Sequence, residues 1–125
     1  MITFAIGAGE LRDDEGELIG SAYSGAPGHV NVAADCALPQ LGPIPPGRYL
    51  LGEPYDDPER GPFCIPLTPC TGTDTFRRGG FLIHADNPRK PPRSSSEGCI
   101  VPRDRPTRIA AWVAAQPDRL LEVVP

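Results

Sequence analysis

Apolar positions along the chain fall into short runs cut by glycine and proline, which predicts brief strands joined by turns. Residues 2–6 and 17–22 read as two strands of an opening hairpin, with the polar stretch Arg12-Asp13-Asp14-Glu15-Gly16 as its turn. Tyr23 to His29 reads as a loop by its small residues, and the weakly patterned stretch to Gln40 extends it with one helical turn. Gly42 to Gly47 is stiff, polyproline-like punctuation, after which Arg48-Tyr49-Leu50-Leu51 enters as a strand. Phe63 to Leu67 is the next strand. Gly80-Phe81-Leu82-Ile83, apolar at consecutive positions, is a buried strand that delivers His84 at its end. From Ala85 to Glu97 the composition turns polar, with Asn87-Pro88, Pro91-Pro92 and Ser94-Ser95-Ser96, and predicts a long surface loop. Gly98 to Val101 restores an apolar strand. Asp104 as N-cap, followed by Arg105 and Pro106, marks a helix start, and Ile109, Trp112 and Val113 recur at helical spacing and should face the core. Pro117 ends this helix, and Leu120 to Val124 closes the fold as a last strand.

Composition agrees with this reading. The 17 prolines and 14 glycines punctuate the chain heavily, so the expected fold is mainly β with one short C-terminal helix. A length of 125 residues supports one modest core and one domain spanning 1–125. No apolar run approaches the roughly 20 residues that cross a bilayer, so no membrane insertion is expected. The opening residues are followed soon by Glu10 to Glu17, which fits neither a signal peptide nor an anchor. Synthesis in the cytoplasm, with a different export route for any work outside, is the expectation, as is a monomer.

Charge is distributed unevenly. Residues 1–74 carry three basic and eleven acidic groups, and residues 75–125 carry nine and five, so the first part is acidic and the second basic. The basic part contains both His84 and Cys99, which suits an anionic ligand or an ordinary solvated face. Nucleic acid is excluded as a partner, because no basic run has interleaved aromatics. Cys36, Cys64, Cys70 and Cys99 allow two disulfides or four thiols. Zinc finds little support, since five residues separate Cys64 from Cys70 and no Cys-x-x-Cys occurs. No metal or other cofactor is expected.

The segment 81–101 offers what a cysteine nucleophile requires: a thiol, a base to deprotonate it, and donors for the oxyanion formed at an attacked carbonyl. His84 ends one strand, Cys99 begins another, and the loop between them can bring the strands side by side. Gly98 permits close approach of a substrate carbonyl, and the N–H groups of Gly98 and Cys99 are candidate oxyanion donors. Ser96 is a candidate to order the loop by local hydrogen bonds, and Asp86 to hold the imidazole. Taken singly, a strand cysteine and a lone histidine are more often structural, and only their joint setting argues for chemistry.

That setting resembles a known family. Phe81-Leu82-Ile83-His84, a variable loop, then Ser96-Glu97-Gly98-Cys99-Ile100 is similar to the His…Ser-x-Gly-Cys signature of L,D-transpeptidases of the YkuD type. It looks closer still to small transpeptidase-like proteins of prophages and type VI secretion effectors. The likeness extends through Tyr23-Ser24-Gly25, Gly42 to Tyr49, Gly61-Pro62-Phe63 and Arg78-Gly79-Gly80. The resemblance implies a YkuD-like β-sandwich or barrel, with Cys99 as nucleophile, His84 as general base, Gly98 in the oxyanion site and Arg78 pairing with a substrate carboxylate. It also implies cleavage or exchange of the terminal D-amino acid of a peptidoglycan stem peptide, in the periplasm or cell wall and potentially of a target cell. An effector of that kind would have a cognate immunity protein. Two departures from the wider family, Glu97 before the Gly-Cys pair and Val101 two residues after Cys99, match the smaller effector-like branch. They leave the third catalytic member open between a side chain and a backbone carbonyl near Ala85. Two other readings compete: a papain-like hydrolase using Cys36, Cys64 or Cys70 with His84, and a non-enzymatic cell-wall-binding or structural module with disulfide-bonded or metal-bound cysteines.

Overall fold

The computed structural model describes residues 1–91, 93–104 and 106–125. Pro92, expected in the polar loop, and Arg105, expected beside the helix cap, lie outside the described residues. In chain order the elements are β1 (Ile2–Ala5), β2 (Glu10–Arg12), β3 (Leu18–Ser24), a 3₁₀ turn (Ala33–Asp35), β4 (Gly47–Leu51), β5 (Tyr55–Asp57), β6 (Gly61–Pro69), β7 (Leu82–Ile83), β8 (Ile100–Pro102), α1 (Pro106–Ala115) and β9 (Leu120–Val124). The fold is mainly β with one short helix, as the proline-cut pattern indicates.

Strands β4, β9, β1, β2, β3, β8, β7 and β6 are neighbours in that order, and β6 returns to pair with β4, so eight strands close into a barrel. Closure leaves these strands without a free edge. Strand β5 hangs on β6 outside the ring. The nine-residue β6 makes this possible by pairing in sections: its last residues with β4, Ile65 and Pro66 with β7, and its first residues with β5. Strand β9 seals the other side of the ring, parallel to β1 and antiparallel to β4.

The opening hairpin is corrected to a three-stranded meander. Strand β1 pairs with β2, and β2 with β3, so residues 2–6 and 17–22 are not direct partners. The chain reverses earlier than the acidic stretch suggests because Gly9, at φ 65, lets its N–H return to the Ala5 carbonyl at 2.9 Å. Asp13 to Gly16 then makes the second turn, held by the Asp13 carboxylate on the N–H groups of Glu15 and Glu17. Tyr23 and Ser24, expected in a loop, instead finish β3.

Ile2, Phe4, Leu11, Tyr49, Ile65, Ile83, Ile100 and Leu121 fill one continuous core, joined by Ile109 and Val113 of α1, which packs against β6. Each such buried aliphatic side chain contributes about 1.5–3 kcal/mol. Trp112, expected in the core, is only partly buried and lies at its margin. The alternation that fills the core also creates a second surface. Along β6, β7 and β8, Ile65, Ile83 and Ile100 turn inward, while Cys64, Leu82 and Cys99 form a separate buried cluster on the other face.

Candidate active site

Strands β7 and β8 run parallel with Ile83 opposite Ile100. His84 follows the first of these and Cys99 precedes the second, so both point away from the isoleucines, onto the same face. They are diagonal neighbours across one strand pair, a relation that typically separates Cα atoms by about 7–8 Å and is bridged by long or aromatic side chains. The His84 N–H donates to the Ile100 carbonyl at 3.1 Å and fixes the backbone at this crossing. The fourteen residues from 85 to 98 are thus looped out, which brings His84 and Cys99 onto one face of adjacent strands.

His84 is 2 % exposed. Its Nδ1 lies 2.8 Å from the Ala85 carbonyl oxygen, which can only accept, so the proton sits on Nδ1 and Nε2 carries a free lone pair. Nε2 is buried and without a hydrogen-bond partner among the described residues. An orphaned buried nitrogen costs stability and persists where function requires it. Burial pulls the imidazole pKa below its ordinary 6.5, with the Ala85 carbonyl opposing, so the ring is neutral at neutral pH and able to accept a proton.

Cys99 is 5 % exposed, and its Sγ lies 3.8 Å from the Gly80 carbonyl oxygen. Burial pushes the thiol pKa above its ordinary 9.0, against the Leu82 N–H and the positive charge of Arg60, which both favour thiolate. The resting pair is therefore thiol and neutral imidazole, and any chemistry that uses a Cys99 thiolate would need proton transfer to form it. Extending the β6–β7 register, in which Ile65 opposes Ile83, sets Cys64 across from His84. Cys64 is fully buried and its Sγ donates to the Gly61 carbonyl at 3.4 Å. All four cysteines are free thiols.

The turn before Cys99 is organised by two buried serines. Ser96 Oγ donates to the Cys99 carbonyl at 2.7 Å and accepts the N–H groups of Gly25 and Gly98 at 3.0 and 3.2 Å. Ser24 Oγ accepts the Ile44 N–H at 2.8 Å and reaches the Gly98 carbonyl at 3.4 Å. Gly98 itself is at φ 124, a conformation closed to side chains, and a Cβ there would collide with the Arg78 guanidinium. Because the Gly98 N–H faces Ser96, the Cys99 N–H is the better oxyanion donor of the two expected.

Two expected roles change. Asp86 does not hold the imidazole, since the Ala85 carbonyl occupies Nδ1. Its carboxylate instead accepts the Tyr23 hydroxyl at 2.6 Å and the Arg93 N–H at 3.3 Å. Beyond the strand end the side chain turns toward β3, where Tyr23 also accepts the Ser95 N–H at 2.9 Å. Burial pushes Asp86 up, but these hydrogen bonds outweigh it and the carboxyl lies below the usual range; Tyr23 is pushed up to about 12 by burial and by Asp86. Together they clamp both ends of the 85–97 loop. Arg78, expected on a substrate carboxylate, donates to the carbonyls of Cys36, Gly42, Pro43 and Glu97 and stacks over Phe81 at 5.6 Å. Its fork is occupied by backbone, tying the 36–43 loop to the turn before Cys99. Tyr23 and Ser24 fall within the family likeness, but their roles at the site, like that of Arg60, have no local signal, because each reaches the site from a distant part of the sequence.

Two hollows lie near the pair, lined by residues close to His84 and Cys99 in the chain but not by those two themselves. On the β3 side a cleft of about 470 Å³ is lined by Tyr23, Asp86, Arg93, Val101 and Arg103. On the other, a smaller hollow of about 250 Å³ lies among Arg60, Arg77, Arg78, Gly80 and Glu97.

Among solved structures, the chain is similar to Bd1075 of Bdellovibrio bacteriovorus, with a TM-score of 0.57 and 20% identity over 99% of this chain and 47% of that one. The chain spans about half the length of that protein, and the likeness is one of fold. No curated protein matches the chain. The Tlde1 domain profile matches residues 19–124, a span holding every side chain of the site, from Tyr23 on β3 to Cys99 before β8. With nearly the whole barrel inside that match, the chain belongs to the Tlde1 domain family of type VI secretion effectors.

Proposed function

We propose that the chain is a YkuD-like cysteine acyltransferase, an L,D-transpeptidase or L,D-carboxypeptidase that cleaves or exchanges the terminal D-amino acid of peptidoglycan stem peptides. The observation that carries this reading is the orphaned Nε2 of His84, held as a lone-pair acceptor on the face that also bears Cys99. The His…Ser-x-Gly-Cys resemblance supplies the substrate class, and the effector family supplies the setting, the periplasm or cell wall of a target cell, with a cognate immunity protein in the producer.

The reading implies two acyl-transfer steps. His84 Nε2 takes the Cys99 thiol proton as Sγ attacks the carbonyl carbon before the D-residue, and the carbonyl oxygen becomes an oxyanion facing the Cys99 N–H. Collapse breaks the C–N bond. The imidazolium gives its proton to the departing amine, leaving a thioester on Sγ. An incoming amine or water then loses a proton to Nε2 as it attacks the thioester, and the thiol recovers that proton as the S–C bond breaks. Amine as acceptor gives exchange, and water gives trimming.

Purified tetrapeptide muropeptides incubated with the protein and followed by mass spectrometry test this directly. Loss of the terminal D-alanine, or its replacement by a supplied D-amino acid, is expected from the native protein and not from Cys99→Ala. Full activity in a folded Cys99→Ala protein excludes the reading. A second nucleophile has one observation in its favour, the register that sets Cys64 opposite His84. Cys64→Ser separates the two, and retention of activity in that variant is expected.

A further inference from the structure

The smaller hollow is lined by neighbours of Cys99 rather than by Cys99 itself. Gly80 lines it and presents its carbonyl 3.8 Å from Cys99 Sγ, and Glu97, two residues before Cys99, lines it too. Three arginines and one glutamate, Arg60, Arg77, Arg78 and Glu97, line it. Arg78 is held by four backbone carbonyls, so it serves the fold. Arg60 and Arg77 belong to no ion pair among the described residues. A pocket of one residue's size with two uncommitted arginines is built for a small anion.

Both arginines are brought there by local devices. Arg60 sits in the β5–β6 turn, which the Asp57 carboxylate fixes through the N–H groups of Glu59 and Arg60 at 2.9 and 3.0 Å. Its charge is felt at both Cys99 and His84. Arg77 follows Phe76, and both occupy the left-handed region, at φ 61 and 54. Side chains avoid that region, and two in succession are an observed strain that aims Arg77 away from the barrel and into the hollow.

Resting on the acyl-transfer reading above, we infer that Arg60 and Arg77 clamp the free C-terminal carboxylate of the departing residue, which restricts the enzyme to the ends of stem peptides. The covalent logic sets the reach. In a peptide whose last amide is attacked, the terminal carboxylate is only one Cα beyond the scissile nitrogen, so an anion site must lie beside the nucleophile. The larger cleft on the β3 side is left for the acyl-donating stem. A carboxylate held by this clamp also makes internal peptide bonds poor substrates, since they offer an amide at that point.

Two versions of one probe test the assignment: the tetrapeptide L-alanyl-γ-D-glutamyl-meso-diaminopimelyl-D-alanine and its C-terminal amide. Every other carboxylate is common to both. Native protein is expected to favour the acid over the amide by about 10- to 100-fold in kcat/KM, the worth of charge-assisted hydrogen bonds. In Arg60→Gln/Arg77→Gln that ratio should collapse toward one, and Arg60→Lys/Arg77→Lys should restore part of it. Taking the ratio within one protein cancels any loss of folded material. A native ratio near one, or a double variant that slows on both probes with its ratio intact, overturns the clamp and moves the arginines to another carboxylate of the stem. Binding of the same probes to Cys99→Ala, read by calorimetry, keeps the two proposals apart. Acid-selective binding abolished by the arginine changes supports the clamp even where turnover fails, and unselective binding overturns it even where turnover succeeds.

Discussion

The inner and outer faces of β6, β7 and β8 are made by the same three strands and do opposite work. Inward, Ile65, Ile83 and Ile100 meet one another and the rest of the barrel with at most 1 % of their surface exposed. Outward, the neighbouring positions carry Cys64, His84 and Cys99, where a buried nitrogen is left unpaired and a thiol is held in its neutral form. A two-residue period lets one short stretch be both wall and reagent. The inner face supplies the rigidity that the outer face needs in order to tolerate an orphaned group.

Substitutions on the two faces should therefore separate rate from stability. The largest effect is expected from Cys99→Ala, a loss of about 10³-fold or more in D-alanine release with a nearly unchanged melting temperature, checked by muropeptide kinetics beside thermal denaturation. His84→Gln should cost about 10²- to 10⁴-fold in kcat by removing the acceptor at Nε2, again with the fold kept by circular dichroism. Ile83→Ala, one position before His84 but on the inner face, should behave in the opposite way. It is expected to lose about 2–5 kcal/mol of stability in urea titration, while the protein that remains folded keeps its kcat. If the inner change altered rate alone, or the outer changes altered stability alone, the division between the faces would be wrong.

Smaller effects test the clamp and the protonation states. Tyr23→Phe removes one hydroxyl that bonds Asp86 and Ser95, and should loosen the 85–97 loop at a cost of about 1 kcal/mol, read as faster hydrogen exchange there. For pH, the signs follow from the two burials. His84 is shifted below 6.5, so kcat/KM should hold as pH falls through 6.5 and decline only at a lower value, where Nε2 becomes protonated. The unfolded chain binds the histidine proton first, so His84 also withdraws stability as pH falls from 6.5 toward its folded value. Cys99 is shifted above 9.0, so native protein should show no thiolate absorbance from this residue at neutral pH.

Much of this was legible along the chain, and the reasons for the remainder are physical. The apolar stretches at 48–51, 63–67, 80–83, 98–101 and 120–124 mark strands β4, β6, β7, β8 and β9, while the full span of β6, Gly61–Pro69, is hidden by the prolines within it. Strands β2 and β5 have no such stretch, because Glu10-Leu11-Arg12 and Tyr55-Asp56-Asp57 join the sheet through backbone hydrogen bonds, with few apolar side chains to mark them. Cys99 and His84 were readable as strand-end residues flanking a loop. Their supports were not: Ser24 meets Gly98 from 74 positions away, Arg78 meets Cys36 from 42, and Tyr23 meets Asp86 from 63. Asp86 and Arg78 looked chemical for the same reason. Proximity in sequence to His84 and Cys99 says nothing about which way a side chain turns once the strand has ended.

The central claim is that Cys99 carries the acyl group on the outer face with His84 as its base. Rapid quenching of the protein in acid during turnover of the tetrapeptide, followed by digestion and mass spectrometry, reads this directly. The account predicts a tripeptidyl thioester on the peptide containing Cys99, released by hydroxylamine, absent in Cys99→Ala and strongly reduced in His84→Gln. An adduct on Cys64 in place of Cys99, or undiminished turnover with no adduct on any cysteine, would contradict it.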